Sequence, residues 1–167
     1  MVWVRSEYAG ELAVLSTWLS VFIPWNITSS AVSGGTVLFV RFPFVQVRYT
    51  FGVPFAEATL VLDPLSAIAF QSGNSIVVAY QAWAVGAGVF ALAVAFSVAY
   101  YAAESRVEAL PVDPVRVVGG LLGLAGVVLA GATYLLVTRG FPGFPIPIGV
   151  VFLLLFGGIL LTIDRTD

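Results

Sequence analysis

Few side chains in this chain could do chemistry. There is no cysteine and no histidine, and all seven basic residues are arginine. That excludes disulfides, thiolate nucleophiles and thiolate metal sites. It also removes the usual general base and the commonest metal and haem ligand. Without lysine there is no Schiff-base chemistry. No Ser/His/Asp set, phosphate-binding glycine loop or zinc spacing occurs. An enzyme would have to work with Arg, Glu, Asp, Tyr and Ser alone, so the chain reads as non-enzymatic. No catalytic, cofactor-binding or metal-ligating residue is expected. The net charge is −2, and no basic run exists that could grip nucleic acid.

Four polar features remain. Glu57 and Asp63 share one loop and could attract a hard cation. They lack a spaced ligand run, however, and Asp63-Pro64 reads as a helix start, with Asp as cap and Pro at the first helical position. Glu11 is the one carboxylate near the interior of an apolar stretch, and it reads as an interfacial residue rather than part of a proton path. Asn26-Ile27-Thr28 is an N-glycosylation sequon, which makes Asn26 a candidate for modification.

The elements that would carry these residues are apolar. The chain of 167 residues is 60% hydrophobic and 10% charged, with a mean hydropathy of +1.04. A soluble domain carries about 25% charged residues, so lipid is the natural solvent. Apolar stretches over 9–27, 75–103, 115–137 and 146–163 read as four membrane helices, since a helix needs about 20 residues to cross the hydrocarbon core. The first has a rival reading as a cleaved secretory signal, with Ser29-Ser30-Ala31 as the small-residue site. The negative leader, with Glu7 and Glu11, argues against it. The fold expected is a membrane all-α four-helix bundle forming one domain, with a small extracellular β-rich cap over 28–74. In that cap Thr36 to Arg41 is β-branched and aromatic. Val45, Val47, Tyr49 and Phe51 alternate with Gln46, Arg48 and Thr50, the period of a half-buried strand. Thr59 to Leu62 is a further short strand, and Leu65 to Gln71 a short helix.

Small residues recur within the helices. Ala87, Ala91, Ala95, Ala99 and Ala103 repeat every four residues, and Gly119 and Gly123 stand at GxxxG spacing. Such surfaces allow close helix approach in lipid. The expectation is packing of the second segment on the third, with a homodimer face as the sharper alternative. Trp3, Trp25, Tyr80, Trp83, Tyr100 and Tyr101 lie near segment ends and read as interfacial anchors. Trp18 reads as buried between helices. The arginines divide four to three across four crossings, which places both termini in the cytoplasm of a multi-pass cell-membrane protein. Its partners would be the lipid bilayer and a membrane or envelope protein met through the β-rich cap. A small permease or an accessory subunit of a transporter is the alternative.

The opening Val2-Trp3-Val4-Arg5-Ser6-Glu7-Tyr8-Ala9-Gly10-Glu11-Leu12 and the Pro24-Trp25-Asn26 that closes the first segment resemble a family of uncharacterised haloarchaeal membrane proteins. The arginine-only basic set and the pI of 4.9 fit that style. The resemblance implies a cell-membrane location and no assigned activity. The plan of four helices with a β-rich loop after the first is also similar to the claudin-like tetraspan arrangement. The cysteines and the Gly-Leu-Trp of the claudin loop have no counterpart here, so that likeness carries no site.

Overall fold

Pro24 cuts the first apolar stretch. The residue before a proline is driven towards extended backbone, so the helix ends early and the chain leaves as a strand. A computed structural model describes residues 2–32, 34–54 and 56–166, with side chains described within 8–163. Strand β1 (Val2–Arg5) leads into helix α1 (Ser6–Phe22), and β2 follows at Asn26–Val32. The helix expected over 9–27 thus starts sooner and gives Trp25 and Asn26 to the connection and the sheet.

Next come β3 (Gly35–Arg41), β4 (Gln46–Phe51) and β5 (Thr59–Leu62), where the β-branched and alternating stretches lie. Asp63 caps α2 (Pro64–Phe70), accepting from the backbone N–H of Leu65 at 2.9 Å and of Ser66 at 3.0 Å. Helices α3 (Val77–Ala102), α4 (Glu104–Glu108) and α5 (Pro114–Thr138) follow. The Asp113 carboxylate accepts from the Val115 N–H at 2.9 Å to start α5. The chain ends with β6 (Phe144–Ile146), α6 (Ile148–Thr162) and β7 (Ile163–Thr166).

Five strands form one antiparallel sheet in the order β5-β4-β3-β2-β6, and β1 pairs with β7 in parallel. The β6 edge depends on Gly143. Its φ is +90°, and a Cβ there would lie 2.2 Å from the Ser29 carbonyl oxygen, so no other residue lets the edge strand close on β2.

The expectation of an all-α four-helix membrane bundle is overturned. Among the described residues there are six helices and a five-stranded antiparallel sheet. Of these described helices, only α3 and α5 are long and apolar enough to cross a membrane. The 17 residues of α1 and the 15 of α6 rise about 26 and 22 Å, short of the roughly 30 Å hydrocarbon core. The sheet is not the property of one loop either, because β6 comes from the α5–α6 connection and ties the far end of the chain to β2.

Helix packing also differs from expectation. On α3 the buried positions are Ala79, Tyr80, Trp83, Gly86, Ala87, Phe90, Ala93, Ser97 and Tyr100. They recur at spacings of one, three and four, which holds one face. A strict four-residue repeat drifts about 40° per step, so Ala91, Ala95 and Ala99 turn outward and are exposed, while Ala87 stays buried. Gly119 and Gly123 do not meet α3. They receive α6: a Cβ on Gly119 would lie 2.8 Å from the Leu160 Cβ, and one on Gly157 would lie 2.7 Å from the Gly123 backbone nitrogen. The α3–α5 contact is instead made at Gly86, under the Leu129 side chain at 2.8 Å.

Candidate functional site

Strand pairing places Asn26 opposite Arg41 and Arg41 opposite Gln46. Paired residues share a face, so the three side chains form one row across β2, β3 and β4. That row faces the helices. Arg41 is 1% exposed. Its Nε donates to Gln46 Oε1 at 2.9 Å, and its Nη1 donates to Asn26 Oδ1 and Thr28 Oγ1, each at 2.9 Å. Its Nη2 donates to the Tyr80 hydroxyl on α3 at 3.3 Å. The Phe39, Tyr80 and Phe141 rings lie 5.1, 5.8 and 4.5 Å from the guanidinium carbon. No carboxylate pairs with it among the described residues. Burial pushes the guanidinium below its ordinary range, and Tyr80 beside it acts in the opposite sense. Trp83 adds a second tie, its indole N–H donating to the Pro43 carbonyl at 2.9 Å. This cluster ties its hydroxyls, Thr28 and Tyr80, to Arg41. It clamps the sheet to α3.

The face of the sheet turned away from the helices is uncharged and mostly apolar. Register aligns Ile146, Ile27, Val40, Val47 and Val61 in one cross-strand row. The next row holds Phe144, Ser29, Leu38, Tyr49 and Thr59, and a third holds Ala31, Thr36 and Phe51. No charge interrupts them. Tyr49, Phe51, Val61 and Phe144 are exposed. The alternation in β4 is thus inverted relative to a soluble sheet, with Gln46 inside and Tyr49 and Phe51 outside.

A family model described as a family of unknown function, DUF7549, matches residues 2–165. The chain belongs to the DUF7549 family. The comparison with curated proteins finds no match.

In this DUF7549 chain the residues singled out from the sequence fall in different places. Asn26 is fully buried, and its Oδ1 accepts from both Thr28 and Arg41. A glycan on its buried Nδ2 has no room, so the sequon is not a modification site in the folded chain. Asp63 serves as a helix cap, and Glu57 is exposed. Trp25, Tyr80, Trp83 and Tyr100 are buried rather than interfacial, at 1, 2, 0 and 2% exposure. Trp25, Tyr80 and Trp83 form the core where sheet and helices meet, Trp25 and Trp83 tilted at 39° with centroids 6.2 Å apart, whereas Tyr100 is buried at the far end of α3 against α1. The Trp3 side chain lies outside the described residues. Trp18 is not enclosed between helices; it lines an open cleft with Glu11. In the sequence Arg41 reads as the end of a β-branched strand and as one charge in the orientation count. Its one local signal was its place in an apolar, β-branched strand, where a charge requires partners.

Proposed function

We propose that this DUF7549 chain is a membrane-resident, non-enzymatic protein that offers the uncharged outer face of its sheet to a protein partner in the membrane or envelope. The observation that carries the reading is the run of three cross-strand rows, free of charge, mostly apolar and open at Tyr49, Phe51 and Val61. Contiguous exposed apolar surface of this kind marks an interaction site. The membrane setting is supported by α3 and α5. Each has only 33% of its apolar span buried within the chain, and Val85, Leu92, Leu124 and Val127 stand exposed along them. The haloarchaeal style of the composition supports the same cell-membrane setting.

For orientation, Arg106 and Arg116 flank the α3–α5 connection, which supports a cytoplasmic side for it. Gly10 and Glu11 lie beside Tyr100 and Glu104 at the same end, and β1 pairs with β7. Both termini accordingly belong to the cytoplasmic side. A homodimer would use the exposed Ala91, Ala95 and Ala99 of α3. The alternative, a small permease or transporter subunit, has less support, because Gly86 on Leu129 and Gly157 on Gly123 close the helix seams tightly.

Photo-cross-linking from native membranes tests the proposal. A photoreactive residue in place of Tyr49 is expected to give a discrete heavier adduct, and the same group at exposed Ser72 is expected to give none. If Tyr49 yields no more adduct than Ser72, or if Val61→Asp leaves the adduct unchanged, the sheet face is not the docking surface.

A further inference from the structure

A cleft of about 520 Å³ opens between α1 and the last turns of α3. Two carboxylates line it, Glu11 from α1 and Glu104 from the start of α4. Both are exposed, and neither has an ion-pair or hydrogen-bond partner among the described residues. Three aromatic side chains complete the wall: Trp18, Tyr100 and Tyr101. Among the described residues no basic side chain lines the cleft.

The aromatic groups are held in place. Trp18 donates from its indole N–H to Ser97 Oγ at 3.2 Å and meets Tyr101 edge to face, with centroids 5.4 Å apart. Tyr100 donates to Glu108 Oε1 at 3.2 Å. Gly10 lets α1 come close, since a Cβ there would lie 2.6 Å from the Tyr100 hydroxyl. Val14 and Leu15 give the cleft an apolar side.

From this arrangement we infer that the cleft binds an organic cation with an apolar body, of the alkylammonium class. Aromatic rings attract a cation through the negative face of the π-system, and quaternary ammonium ligands are recognised in this way. The carboxylates add attraction and neutralise the ligand's charge. The apolar side takes its alkyl groups. An anion would find no donor-rich wall and would meet two negative charges. A metal ion would find too few ligands, since no group of three His, Cys, Asp or Glu side chains gathers among the described residues. The ammonium could arrive on a lipid headgroup or as a free solute; the recognising chemistry is the same. This inference is independent of the sheet-face proposal.

The full chain in phosphatidylglycerol nanodiscs is titrated with tetrabutylammonium while tryptophan emission is followed. Saturable change is expected, and it should be lost in Trp18→Phe. Glu11→Gln with Glu104→Gln should weaken binding by roughly tenfold or more. Because both residues are exposed, the double variant should melt as the parent does. Tyr101→Leu, also at an exposed position, gives a second weakening independent of charge. If phosphatidylcholine discs block the titration, the ligand is lipid-borne; if they do not, it is a free cation. Absence of saturable binding in every disc, or equal affinity in the parent and the glutamine variant, overturns the site.

Discussion

Among the described residues Arg41 meets four oxygens and three rings but no carboxylate, so its place in the fold depends on hydrogen-bond geometry rather than on ion pairing. Arg41→Met removes the charge together with the cross-strand ties. Hydrogen bonds to a charged group contribute about 1.5–3 kcal/mol each at most, and part of that is offset by relief of desolvation. A net loss of about 1–3 kcal/mol in thermal unfolding is expected. Arg41→Lys should cost at least as much, because it keeps a buried charge while losing the planar fork and its stacking. Burial lowers a lysine's folded pKa, so its deficit is full at low pH and should narrow as pH rises towards about 10.4. A deficit that widens with pH would contradict this. Asp63 acts in the opposite sense. The Ser66 side chain, followed by the backbone N–H groups of Ser66 and Leu65, holds its carboxyl below the usual 3.8. Its capping contribution is therefore present above that value and is lost as pH falls through the depressed folded one. The amide resonances of Leu65 and Ser66 should move together in that acid window.

At the scale of elements, the seam between α5 and α6 is the tightest test of packing. Gly157 has backbone atoms of Gly119 and Gly123 within 2.9 Å of where its Cβ would sit. Backbone cannot yield as a flexible side chain can, so Gly157→Ala should destabilise by about 1–3 kcal/mol. Gly158 meets nothing within 4 Å, and Gly158→Ala should stabilise by about 0.5–1 kcal/mol through helix propensity. Ala95→Leu, on the outward side of α3, should stay within roughly ±0.5 kcal/mol. Melting curves in detergent separate the three; a destabilised Ala95→Leu would show that another subunit covers that side. The α3 example also shows what a repeat conveys. The four-residue alanine series was visible in the sequence, but helical drift carries it off the packed side.

For the whole molecule, two long apolar helices with exposed aliphatic faces predict firm membrane association. The protein should stay in the pelleted membrane fraction through alkaline carbonate washing and be released by detergent. Release by carbonate alone would remove the membrane reading. The body of the fold was partly legible. Strands near Thr36–Arg41, Val45–Phe51 and Thr59–Leu62, the Asp63 cap, and the helices near 75–103 and 115–137 all follow from composition and local period. The inverted sheet was not legible, because alternation in β4 announces two faces without saying which one meets the helices. Nor was β6, whose three residues acquire strand form only by pairing with β2.

By itself the sequence determined the chemistry that is missing, the apolar helices and the strand segments, since these depend on residue type and on spacing within a few turns. The tertiary structure decided the rest. It brought Asn26, Arg41 and Gln46 into one row, seated Gly119 and Gly123 on α6, and set Glu11 across a cleft from Glu104. Each of these joins residues far apart in the chain. The physical reason is that local propensity fixes a segment's form, whereas register and close packing between distant segments fix which side of it faces its neighbours.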